Sequence, residues 1–277
     1  MVKSRIVTVQ STELKKVKLP FNRQTQLEVL HEGRTYHFLL YLRKRTDHLL
    51  VMSNGAINPV KKRPPVFMRS TWTDSLPGSL IFIDDPTLHG TDLRLGWGQG
   101  TRDQFALEVI SNLIDTISEM LKYDRSQIFF YGSSAGGFMS LMYATMLAGT
   151  TAIVNNPQTN VLRYYATSSD PLIRHVYGIL DRGIMMEQYG HRLSVAEAFS
   201  HYGNVPRIHY FQNTLCLHDM RNHLEPLIAE MEAGGLDMSQ LYVHHYFDAE
   251  AGHRPLSKAG TERILHSVLV DDLDYHV

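Results

Sequence analysis

The chain contains a single cysteine, Cys216. One thiol cannot close an internal disulfide, so the fold must rest on its core, and a reducing compartment suits it. No apolar run approaches the about 20 residues that a membrane-spanning helix needs. None of signal-peptide length lies near the start either, where Lys15, Lys16 and Lys18 interrupt the sequence. The expectation is a cytoplasmic protein without a membrane span. Neither sign of charge is in excess: Lys and Arg total 27, Asp and Glu 28, for a formal net charge of -1. That balance lacks the basic surplus of a nucleic-acid-binding surface. Internal repeats and low-complexity tracts are missing as well. So is a phosphate-binding loop, because Gly136-Gly137 is not followed by Lys and Ser or Thr.

What is present is patterned apolar sequence. Hydrophobic residues make up 43% of 277, enough for a sizeable core in one domain carrying an insertion. Residues 26–31 and 35–42 read as two strands joined by His31-Glu32-Gly33-Arg34, a hairpin with Gly33 in its turn. The stretches 48–53, 79–84, 127–131, 151–155, 207–212 and 241–247 read as further strands. Helical spacing falls over 101–122, 135–148, 224–233 and 255–268. The first 25 or so residues are polar and give no clear reading. A hairpin followed by alternating strands and helices predicts an eight-stranded, mostly parallel sheet flanked by helices, an α/β class. The alternation breaks between Asn156 and Val205, with short helical candidates at 171–180 and 195–201. An insertion there would lie above the carboxyl ends of the strands, where open α/β sheets bind ligands. Residues 160–203 therefore read as a cap within a single domain spanning 1–277. Its Tyr164, Tyr165, Tyr177 and Tyr189 would offer aromatic faces with polar ends.

The strongest local signal is Tyr131-Gly132-Ser133-Ser134-Ala135-Gly136-Gly137, set between a strand and a helix. A strand-to-helix turn that sharp crowds the residues two before and two after its apex, so both must be small. Ser134 has Gly132 and Gly136 at those places; Ser133 has Tyr131 two residues before it, which argues against Ser133 as the apex. The apex hydroxyl would stand by a helix N-terminus, where the positive dipole end favours an oxyanion. The plain alternative is a glycine-rich turn with a serine cap.

In this fold the acid follows the serine and the histidine comes last. His253, after the last strand and before the last helix, occupies that place, with Gly252 allowing a tight turn. The acid belongs after the strand 207–212, and simple spacing leads to Cys216, which cannot do an acid's work. Asp219 lies three residues on in the same loop; Asp248, at the end of the final strand, is the rival. Two backbone amides are needed to hold an oxyanion. Ala135, after the serine, supplies one, and the turn Asn54-Gly55-Ala56 points to Ala56 for the other. Trp97, between Gly96 and Gly98, reads either as a substrate-binding wall or as a packed ring in a long loop. His218 and His223 read as polar loop or helix-start residues, and neighbours such as His244 and His245 point to opposite faces of a strand. No metal and no cofactor is expected.

The stretch 131–138, the Asn54-Gly55-Ala56 turn, the Trp97 loop and Gly252-His253 together resemble α/β-hydrolase proteins of bacterial surface-glycan clusters. These include carbohydrate O-acetyltransferases of capsule synthesis and of accessory secretion. The resemblance implies an α/β-hydrolase fold and acyl transfer to or from a sugar hydroxyl. It also implies a glycan or small-molecule substrate and an acyl donor such as acetyl-CoA. Cys216 at the expected acid position departs from the pattern. That departure keeps open a second reading, an inactive binding module in a glycan synthesis or export complex.

Overall fold

A computed structural model describes residues 5–269. Its strands are β1 (Arg5–Gln10), β2 (Gln24–His31), β3 (Arg34–Tyr41), β4 (Leu49–Met52), β5 (Ser79–Ile83), β6 (Ile128–Ser134), β7 (Thr151–Pro157), β8 (Arg207–Asn213) and β9 (Leu241–Tyr246). They form one nine-stranded sheet in the order β1-β2-β3-β5-β4-β6-β7-β8-β9. Only the two pairings of β3 are antiparallel. The sheet thus has one strand more than the eight expected. β1 lies at the edge, pairs with β2 alone, and alternates exposed with half-buried residues, so it carries little apolar signal.

β4 and β5 are buried along their whole length, as continuous apolar runs in a parallel sheet must be. Their side chains alternate between two cores: Leu49 and Val51 on one face, Leu50 and Met52 on the other. The hairpin between β2 and β3 turns on Glu32 (φ 47°) and Gly33 (φ 79°). Positive φ at both positions matches the turn to the twist of the strands.

Helices α1 (Ala106–Leu121), α2 (Ala135–Met146), α3 (Ala166–Val176), α4 (Arg182–Leu193), α5 (Val195–Tyr202), α6 (Leu217–Asp219), α7 (Glu225–Ala233) and α8 (Lys258–Leu269) cover the sheet. Ile110 of α1, Phe138 of α2, Phe199 of α5 and Leu227 of α7 share the first core. Leu265 and Val268 of α8 join Phe82 and Tyr131 in the second. The helix read over 101–122 begins at Ala106, because Thr101–Gln104 forms a turn in which the Thr101 amide donates to the Gln104 carbonyl.

The segment expected as a cap holds α3, α4 and α5. α5 packs on α2 and α7 and closes the first core. Arg192 of α4, only 5% exposed, ties the segment to the Trp97 loop by donating to the carbonyls of Gln99, Thr101 and Arg102. Tyr177 and Tyr189 pack against each other beside it, Tyr177 donating to Gln99 and Tyr189 accepting from Arg102.

Candidate active site

β6 runs straight into α2 through Ser134, whose backbone stands at φ 56° and ψ −126°. A non-glycine residue held there stores about 1–3 kcal/mol of strain, which the surrounding packing must impose. The packing is tight. A Cβ on Gly132 would lie 2.1 Å from the Gly136 carbonyl oxygen, and one on Gly136 would lie 2.8 Å from that of Asn54. Both glycines are therefore required by close approach, as the spacing suggested.

His253 and Asp219 meet Ser134 from the segments that follow β9 and β8. The Ser134 hydroxyl donates to His253 Nε2 at 2.8 Å, and His253 Nδ1 donates to Asp219 Oδ2 at 2.6 Å. Asp219 is wholly buried. Burial alone would push its carboxyl up, but the hydrogen bond and charge of His253, aided by the Cys216 thiol, outweigh it and hold the group below its usual value. Asp219 reaches this position because Cys216 starts a helical turn: its carbonyl accepts from the amides of Asp219 and Met220. Asp219 thus comes one turn later than the position to which simple spacing leads. Asp248 lies elsewhere. Its Oδ1 accepts from the amides of Glu250 and Ala251, folding the loop that carries His253.

Three buried asparagines at the carboxyl ends of the strands hold that loop. Asn213 donates to the carbonyls of Asp248 and Gly252 and accepts from the Asp248 amide. Asn156 donates to the Arg254 carbonyl, and Asn155 accepts from the Leu256 amide. The residues on both sides of His253 are fixed in this way. None of the three asparagines stood out in the sequence, although Asn155 and Asn156 lie near the end of β7 and Asn213 ends β8.

The Trp97 ring is fully buried and offers no face to solvent. It belongs to the site through a residue the sequence did not single out. Trp97 Nε1 donates to Gln158 Oε1 at 2.5 Å, and Gln158 Nε2 donates to Ser134 Oγ at 3.1 Å. Indole is a donor only, so it fixes which end of the amide faces the serine. With its oxygen accepting from Gln158, Ser134 is left to aim its proton at His253.

The Asn54–Asn58 loop lies against the elbow, pinned on both sides of Ala56. Gly55 donates to Met68 Sδ, and Ile57 donates to the Arg94 carbonyl at 2.9 Å. Ala56 sits exposed between them, and Ala135 opens α2 beside Ser134. Arg69 Nη2 donates to Ser133 Oγ at 2.7 Å, so Ser133 is engaged away from His253.

Of the cap tyrosines, Tyr164 stands with its ring centre 5.8 Å from that of His253 and 6.0 Å from Trp97. Tyr165 stacks on His218 at 4.1 Å. Tyr177 and Tyr189 face the Trp97 loop instead. Among the described residues, two trios bring possible metal-ligating atoms within 4.8 Å of one another: Cys216, Asp219 and His253, and His218, Asp219 and His223. Both contain Asp219. His244 is half-buried and within 3.2 Å of His209, while His245 is exposed, in keeping with their opposite faces.

No family model matches the sequence, and no curated protein matches it. Solved structures do resemble the fold. The capsule O-acetyltransferase of Neisseria meningitidis serogroup A superposes with a TM-score of 0.65 at 13% identity, covering 87% of this chain and 93% of that one. A mutant of that enzyme in complex with CoA superposes at 0.65 and 14%, covering 92% and 99%. The S-formylglutathione hydrolase of Agrobacterium tumefaciens does so at 0.57 and 15%, covering 94% and 96%. The sheet order, the elbow between β6 and α2 and these likenesses give the fold: it is that of the α/β-hydrolases.

Proposed function

We propose that this α/β-hydrolase-fold chain is a serine-dependent acyl enzyme, an esterase or O-acyltransferase acting on acyl groups of a carbohydrate. The observation that carries the reading is the unbroken relay from Ser134 Oγ through His253 to buried Asp219. In the first step Ser134 Oγ attacks an ester or thioester carbonyl, and His253 Nε2 takes its proton. Asp219 keeps the ring turned and stabilises the imidazolium that forms. The amides of Ala56 and Ala135 hold the carbonyl oxygen as it gains charge. His253 returns the proton to the leaving group. Water or a sugar hydroxyl, deprotonated by the same imidazole, then takes the acyl group from Ser134.

Whether water or a sugar takes the acyl group depends on where an acceptor can be held. A cleft of about 790 Å³ opens between residues 90–93 and α3, lined by Asp92, Leu93, Thr167, Asp170 and Arg174. In the chain its lining residue Ala166 directly follows Tyr165, and its lining residue Leu93 directly precedes Arg94, whose carbonyl accepts from the Ile57 amide. We assign the cleft to the acceptor or to the donor's carrier, with α3 and α4 acting as the cap. The complex of a fold neighbour with CoA supports a CoA thioester as donor. The alternative, an inactive binding module, drew on the lack of an acid at 216; Asp219 at 2.6 Å from His253 supports the catalytic reading instead.

The test is to supply acetyl-CoA or nitrophenyl acetate with and without oligosaccharide acceptors and to follow the acetyl group. The expected outcome is turnover of the activated ester, with part of the acetyl group diverted to a sugar hydroxyl. EDTA should leave both products unchanged, since no step uses a metal. Acetyl release to neither water nor sugar would overturn the proposal.

A further inference from the structure

Three buried polar atoms around Asp219 have no hydrogen-bond partner among the described residues: Asp219 Oδ1, His223 Nε2 and His218 Nδ1. Buried polar groups are rarely left so, and each unpaired one is costly. The three residues converge. One ligating atom of each lies within 4.8 Å of the others, and His218 Nδ1 is 3.6 Å from Asp219 Oδ1. Asp219 and His223 are both 0% exposed.

A metal ion is the first occupant such a trio suggests, but His223 is held in the wrong form for one. The Thr159 amide donates to His223 Nδ1 at 3.3 Å, and the Thr159 hydroxyl donates to the His223 carbonyl at 2.8 Å. A ring whose Nδ1 accepts carries its proton on Nε2. Burial also pushes the group down to about 3, so the ring is neutral at ordinary pH. Nε2 is then a donor without a lone pair to give. The site presents one N–H at His223, one carboxylate oxygen at Asp219 and the Nδ1 of His218. A single water molecule satisfies all three, accepting from His223 Nε2, donating to Asp219 Oδ1 and pairing with His218 Nδ1 in either tautomer.

We infer that His223 is a positioning residue for Asp219, holding its second carboxylate oxygen through one buried water shared with His218. The inference rests on the proposed role of Asp219. Around His223 stand the charged or titratable groups of Asp219, His253, His218 and Arg163, with Tyr164 beside the ring. Asp219 Oδ2 faces His253 and Oδ1 faces this relay, so both ends of the carboxylate are fixed and its charge is shared. His218 also stacks on Tyr165, which links the acid's second oxygen to the edge of the cleft.

The test uses the full chain and two variants. Fluorophosphonate labelling of the wild type comes first; failure there counts against the serine mechanism and not against His223. His223→Phe should lower kcat for nitrophenyl acetate by about tenfold. It should also move the acid limb of the kcat/KM profile to higher pH, because a carboxylate with fewer hydrogen bonds attracts the His253 proton more strongly. His223→Gln, which keeps an N–H near Nε2, should restore both. Wild-type rates and an unmoved limb in both variants would overturn the inference. A measurement on the wild type stands if the Phe variant does not fold: nitrogen NMR should find the His223 proton on Nε2, unchanged by added zinc. A proton on Nδ1, or a zinc-shifted ring, would also overturn it.

Discussion

Ser134→Ala is expected to lower turnover of an activated ester on the order of 10³-fold or more while leaving the fold intact. The size follows from what the oxygen does. In the proposed mechanism it forms the bond to the substrate, so its loss would leave only binding and the oxyanion amides. The fold should survive because the strained turn is imposed from outside: by Gly132 against the Gly136 carbonyl, and by Gly136 against Asn54. Alanine meets the same φ with a slightly smaller side chain. The hydroxyl's two contacts, to His253 and Gln158, are its only share in the packing that the change removes. Near-wild-type turnover in the variant would show that another group performs the chemistry.

Asp219→Asn is expected to reduce turnover by about 10²–10⁴-fold, and Asp248→Asn by far less. At Asp219 the amide can no longer stabilise the imidazolium. It also allows His253 the tautomer that turns a proton, not a lone pair, toward Ser134. Asp248 instead uses one oxygen to accept from two loop amides. Asparagine keeps such an oxygen, so the loop and His253 should hold their places. Steady-state rates on one small ester decide between them. The opposite ranking would move the acid to Asp248; small and equal effects would mean that His253 works without an acid.

The elbow could be read from the sequence because its pattern is compact: Gly132 answers to crowding by Gly136 four residues on, and Gly136, though its crowding comes from distant Asn54, completes the same five-residue spacing. His253 was legible from chain order alone. Asp219 as the partner of His253 was only half legible, since the helical turn begun by Cys216 places it one turn later, and spacing does not encode that turn. Gln158 and the asparagines at 155, 156 and 213 were not legible, because their partners lie far away in sequence. Gln158 meets Trp97 across 61 positions, and Asn156 meets Arg254 across 98. The same holds for Trp97. Flanking glycines mark a ring in a tight turn, but whether the ring faces solvent depends on partners such as Gln158 and Tyr164, which arrive much later in the chain. β1 escaped notice for the opposite reason: it buries too little to impose an apolar pattern.

The measurement that bears most directly on the account is peptide mapping by mass spectrometry after reaction with a fluorophosphonate. One adduct is expected, on Ser134, formed at a rate that falls sharply in a His253→Ala variant. An adduct on Ser133, or labelling that persists in Ser134→Ala, would contradict the central claim that Ser134 is the nucleophile.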